Sequence, residues 1–156
     1  MRISEILSEK VIATGLEATD KYEAIDKMIE LACASGNVIN KDNVKQCVLD
    51  REKLVSTGVG KGFAIPHGKT DDIKDIVAAF AVLKTPIDFD SIDLEPVKYI
   101  FLVIGKESLL NAHIKLLSRI SRIMNKEEFR ERLDDAKSPE EIMEMFRQEE
   151  QASFES

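Results

Sequence analysis

The sequence predicts an α/β protein, a three-layer α/β/α sandwich in which a central mixed β-sheet is flanked by helices on both faces. Three observations predict it. Two apolar runs, residues 76–83 (IVAAFAVL) and 97–104 (VKYIFLVI), read as buried strands in the middle of the chain. Apolar residues at three- and four-residue steps precede them, and the last third is again helical in period.

Taken in order, Ile3, Ile6 and Leu7 suit one helical turn, and Val11-Ile12-Ala13 a short strand. Thr19-Asp20 then caps a helix whose stripe is Tyr22, Ala24, Ile25, Met28, Ile29, Ala32 and Cys33, closed by Gly36. A second helix starts at Asn40 or Lys41, with Val44, Cys47, Val48 and Val55 on its apolar side. From Ser56 the texture changes to a glycine-punctuated loop, Gly58, Gly60 and Gly62, and then a short buried strand, Phe63-Ala64-Ile65, leading into Pro66-His67-Gly68. Residues 84–96 (KTPIDFDSIDLEP) read as a long connection with two prolines, whose acidic residues Asp88, Asp90, Asp93 and Glu95 form a solvated loop face.

Residues 109–124 form a helix with Ile114, Leu117, Ile120, Ile123 and Met124 on one side, followed by a helix over 126–133. Ser138, Pro139 and Glu141 fit the capping box of a last helix. The closing residues lack periodicity, so one domain over residues 1–150 and a frayed tail over 151–156 are expected.

Among the 156 residues, 44% are hydrophobic and 33% charged, enough apolar material for a core without staples. The net charge of −7 argues against broad attraction to nucleic acid or to an anionic membrane, which leaves proteins and small molecules as partners. Cys33 and Cys47 lie outside any CxxC pattern and read as reduced core thiols. No stretch is apolar enough to span a bilayer, and acidic residues begin at Glu5, so a cytoplasmic protein is expected.

There are two histidines. His67 lies between Pro66, which restricts the backbone, and Gly68, which has no side chain to crowd the imidazole. A ring held there, neutral near pH 7, is a competent nucleophile. His113 lies near the start of a helix, after Asn111 as a candidate cap, where free N–H groups and the dipole favour a phosphoryl group. Arg51 offers a fork for phosphate oxygens and Thr57 a hydroxyl. On spacing alone, each residue also fits an ordinary structural role: His67 in a turn, His113 at a core edge, Arg51 in solvent. The glycine run TGVGKG is neither dinucleotide fingerprint nor P-loop, no GxSxG is present, and the histidines are too far apart in sequence to suggest a metal cluster.

Together the segments narrow the choice. Arg51-Glu52-Lys53, the run from Ser56 to Lys69 (STGVGKGFAIPHGK), Thr85-Pro86-Ile87-Asp88-Phe89-Asp90, Pro96-Val97, and Ala112-His113-Ile114-Lys115-Leu116-Leu117-Ser118-Arg119-Ile120 stand in one order. That order closely resembles the enzyme IIA domain (type 2) of the bacterial phosphoenolpyruvate-dependent sugar phosphotransferase system, fructose/mannitol class, including its nitrogen-regulatory branch. Phe63 stands where the family more often has an aliphatic residue.

The resemblance implies an α/β/α fold and a phosphotransferase acting through a phosphohistidine. It further implies that His67 is phosphorylated, that His113 and Arg51 stabilise the phosphate, and that Thr57 and Gly68 give support. No cofactor or metal is implied. The partners implied are the histidine phosphocarrier protein upstream and either a IIB domain or a regulatory target, such as a kinase or transporter, downstream. The docking face around His67 is expected to be apolar, with Phe63 or Ile65 contributing.

Overall fold

The computed structural model describes residues 1–154. Its centre is the antiparallel pair β5 (Val77–Ile87) and β6 (Val97–Gly105), in which Phe80 stands opposite Phe101. A short strand, β1 (Ile12–Leu16), adds parallel to β5. Along the other edge of β6 lie two parallel pieces, β3 (Phe63–Ala64) and β4 (His67–Lys69), and β2 (Gly58–Gly60) pairs antiparallel with β3. The sheet is therefore six-stranded and mixed, as expected.

Helices α2 (Lys21–Ala32) and α3 (Lys41–Leu54) pack on each other, α2 against β5 and α3 against β4. Helix α4 (Leu110–Met124) lies on β6 and α6 (Pro139–Phe154) on β1, with α5 (Glu127–Asp135) against α4 and the single turn α1 (Ile3–Ile6) against α6. Alternation along β5 explains the layers. Phe80 turns towards α6, where Phe146 meets Phe80 at 5.0 Å, Phe101 at 5.5 Å and Phe129 at 5.1 Å between ring centroids. Ala79 and Ala81 turn the other way and let α2 approach closely.

The caps follow the sequence. Asp20 accepts from Glu23 N–H at 2.8 Å, Asn40 from Asn43 N–H at 3.1 Å and Ser138 from Glu141 N–H at 3.1 Å, while Gly36 takes φ 79° after a 3₁₀ turn over Cys33–Ser35. Glu141 reaches back to the N–H of Lys137, one residue before the cap.

Several expectations are corrected. Thr85, Pro86 and Ile87 continue β5 past a register shift, so the connection is shorter than read. His67–Lys69, where a turn was only the ordinary alternative for His67, is a strand that completes the edge of β6. Val55 lies beyond α3 and is exposed. Both cysteines are free but only partly buried. Helix α6 continues through Phe154 where fraying was expected from residue 151, with the Phe154 ring against the guanidinium of Arg119 at 4.7 Å. Residues 155 and 156 of the expected tail lie outside the described residues. Among the described residues no helix is long and apolar enough to cross a membrane.

Phe146→Ala removes the ring on which three others converge, and should lower stability by about 3–5 kcal/mol. Urea denaturation of the two proteins checks this.

Candidate functional site

The parallel register sets His67 opposite Val103, Gly68 opposite Ile104 and Lys69 opposite Gly105. The imidazole is partly buried at the mouth of a cleft walled by Arg51 of α3, Lys69 of β4, and Leu110, His113, Ile114 and Leu117 of α4. His67 Nδ1 lies 2.8 Å from the carbonyl oxygen of Ile65. A carbonyl only accepts, so Nδ1 carries the proton and Nε2 keeps its lone pair. Burial lowers the His67 pKa and the Arg51 and Lys69 charges add to this, against the opposing effects of the Ile65 carbonyl and Glu52. The ring is accordingly a neutral base near pH 7.

His113 occupies the fourth position of α4, with its ring centroid 5.8 Å from that of His67. It is 3% exposed, and neither ring nitrogen has a hydrogen-bond partner. A buried imidazole without partners is costly unless a ligand completes it. Gly105 makes its seat: a Cβ there would fall 2.4 Å from His113 Nδ1. Burial chiefly, then repulsion from a protonated His67 and from Lys69, lower the His113 pKa from 6.5 to about 4, so the ring keeps one N–H to donate and stays uncharged at neutral pH.

Arg51 donates to the Val55 carbonyl at 2.8 Å, which steadies its guanidinium at the end of α3, beside a second hollow lined by Thr57, Val59, Ile65, His67, Ile92 and Leu117. The fold thus brings together His67, His113 and Arg51, as the sequence leads one to expect.

Thr57 reaches the wall, but its hydroxyl donates to the buried carboxylate of Glu52 and is not free for a phosphate. Gly68 also admits α3 against β4: a Cβ there would meet Cys47 Sγ at 2.5 Å.

Asn111 is not the cap of α4; Leu109 holds that position without a side-chain bond, and Asn111 falls within the first turn. His113 takes the core slot expected for Ile114, which turns outward, half exposed, into the cleft. Phe63 and Ile65 are both buried, Phe63 in register with Tyr99, so the exposed apolar rim is made instead by Leu110 and Ile114 on one side and Val59 and Ile92 on the other. Lys69, Glu52 and Gly105 were not singled out from sequence. Lys69 could have been found from strand alternation, which puts it on the same side as His67, had 67–69 been read as a strand.

Residues 5–149 match the family described as "Phosphoenolpyruvate-dependent sugar phosphotransferase system, EIIA 2". The chain belongs to that family. It is 33% identical over 148 residues to the fructose-specific EIIABC component of Bacillus subtilis (strain 168), covering 95% of this chain but 23% of that longer protein. The nitrogen regulatory protein IIA-Ntr of Neisseria meningitidis superposes with a TM-score of 0.87 at 31% identity, over 92% of this chain and 98% of that one. A complex of enzyme IIAMTL with phosphorylated enzyme IIBMTL from Escherichia coli contains a chain that superposes with a TM-score of 0.77 at 25% identity, over 90% of this chain and 96% of that one.

Because the buried His113 ring resists protonation, acid weakens the fold. Above about pH 6.5 the ring is neutral whether the chain is folded or not; between about 6.5 and 4 the unfolded chain binds a proton that the folded one refuses. Stability supplied by the neutral ring is therefore lost as pH falls through that window. Relative to His113→Gln, the wild-type urea midpoint should drop between about pH 7 and about pH 4.5, and parallel profiles would contradict the assignment.

Proposed function

We propose that this chain is a phosphoryl carrier, taking a phosphoryl group on His67 Nε2 from the histidine phosphocarrier protein and passing it to a IIB domain. The observation that carries the reading is the pair of rings: one histidine with its lone pair directed by a backbone carbonyl, and a second, buried and unpartnered, beside it.

In the proposed transfer, Nε2 attacks phosphorus in line with the donor's phosphorus–nitrogen bond, which breaks and returns its electron pair to the donor imidazole. The Arg51 fork and the Lys69 ammonium offset charge on the equatorial oxygens, and the neutral His113 ring donates its one N–H to them. Loss of the group to a IIB domain is the same step reversed in direction. Thr57 and Gly68 act by shaping the walls, through Glu52 and Cys47 respectively. No cofactor or metal enters the step. A cytoplasmic location suits both proposed partners.

Likeness to a nitrogen regulatory protein supports a second reading, in which the same phosphorylation is a signal. A group of charge near −2 placed on the cleft between apolar rims would change affinity for a regulatory target, a kinase or a transporter, by repulsion and desolvation. Phosphorylation-dependent capture of such a target would favour it; phosphoryl loss to a IIB domain would favour transport.

Phosphoenolpyruvate, enzyme I and the histidine phosphocarrier protein should together add one acid-labile, alkali-stable phosphoryl group to the wild type and none to His67→Ala, as read by intact mass. His113→Ala should fold and transfer poorly. Equal labelling of all three would refute the carrier reading.

A further inference from the structure

Behind the site is a buried ion pair that the transfer step does not use. Glu52 of α3 is 2% exposed and Lys21, the first residue of α2, is 6% exposed; their Nζ and Oε2 are 3.1 Å apart. Lys21 also faces Asp90 at 3.4 Å and lies 5.5 Å from the ring centroid of Phe89. The Glu52 carboxylate accepts the backbone N–H of Thr57 at 2.8 Å and the Thr57 hydroxyl, which satisfies both oxygens.

From Thr57 the contacts lead straight to the reacting ring. The Thr57 carbonyl accepts Ile65 N–H at 3.0 Å, and the Ile65 carbonyl accepts His67 Nδ1–H at 2.8 Å. Pro66 restricts the Ile65 backbone on one side, and its own carbonyl takes Val103 N–H at 3.1 Å, so the Ile65 carbonyl is held by the proline, the β6 edge and Thr57 together. The same short link, residues 55–57, carries the Val55 carbonyl on which Arg51 rests. One buried carboxylate thus fixes the backbone under both the nucleophile and the guanidinium.

We propose that Glu52, paired with Lys21, is a positioning residue for phosphoryl transfer: through Thr57 and Ile65 it sets the His67 tautomer, keeping Nε2 as the free nitrogen, and it holds Arg51 in reach. This rests on the carrier reading for its effect on transfer, but not for its effect on the tautomer. Polar groups in buried networks favour a unique arrangement when paired, and Lys21 Nζ, both Glu52 oxygens and the N–H and hydroxyl of Thr57 each have a partner here.

The test uses the full chain with Glu52→Gln, and with Lys21→Gln/Glu52→Gln as the variant that leaves no unpaired buried charge. Ile142→Val, in the distant core of α6, serves as a mildly destabilised control. The ring ¹⁵N shifts of unphosphorylated His67 report which nitrogen bears the proton, and the transfer rate is measured at a temperature where circular dichroism finds each protein folded. The expected result is a shift from the Nδ1–H form towards a mixture of tautomers, with a rate lower by about tenfold or more, in whichever glutamine variant folds. The control should change in neither respect. Wild-type tautomer shifts in a folded glutamine variant would overturn the proposal, and so would failure of both glutamine variants to fold, which would make the pair a folding element only. If the wild type itself takes no phosphoryl group, the carrier reading fails while the tautomer measurement still decides the role of Glu52.

Discussion

The pairing of His67–Lys69 with Val103–Gly105 is the constraint on which the site depends. Three residues of strand are little structure by themselves, yet this register performs several tasks at once. It sets His67 at the mouth of the cleft and Lys69 on the same side, and it brings Gly105 level with the strand end, where the absent side chain leaves space for His113. Ile65 and Pro66, the unpaired residues between the two short pieces on the same edge, supply the carbonyls that hold the imidazole and rejoin β6. A slip of one residue would turn the His67 side chain to the opposite face of the strand, the face on which Gly68 meets Cys47.

Close approach is what glycine contributes here. Gly68 and Gly105 are both extended, with no left-handed backbone to excuse a glycine, and both would clash through a Cβ: one with Cys47 of α3, the other with the His113 ring of α4. The site is therefore a place where two helices come nearer to the sheet edge than ordinary side chains permit. Proximity of His67 to His113 is a packing result before it is a chemical one.

Much of this was legible in the sequence, and what was not has definite physical causes. The helices, the caps of α2, α3 and α6 and the two central strands announced themselves because their apolar periods are long and those capping residues short and polar. The histidines and Arg51 were visible through their order along the chain. The polar use of a core position was not: the stripe on α4 reads as aliphatic, and nothing in spacing alone says that His113 and not Ile114 faces inward. Strand β4 escaped because a three-residue edge piece after proline has no period to read. Phe63 looked like a docking residue because it stands near the motif, but β-pairing with Tyr99 buries it, and of the exposed apolar side chains only Val59 lies in that run, while Ile92, Leu110 and Ile114 come from segments remote in sequence.

Glu150 of α6, 1% exposed, accepts the backbone N–H groups of Ile3 and of Ser4 and stands 3.7 Å from Arg119. Its carboxylate acts as the cap of the opening helical turn, supplied from the far end of the chain. The two extremities are consequently one mechanical unit: peeling away α1 would strand a buried anion beneath α6, and unwinding the end of α6 would leave the first turn without an anchor for its amides. Fraying at either end is thereby coupled to the other, and the seam closes the polypeptide into a loop without a covalent bond.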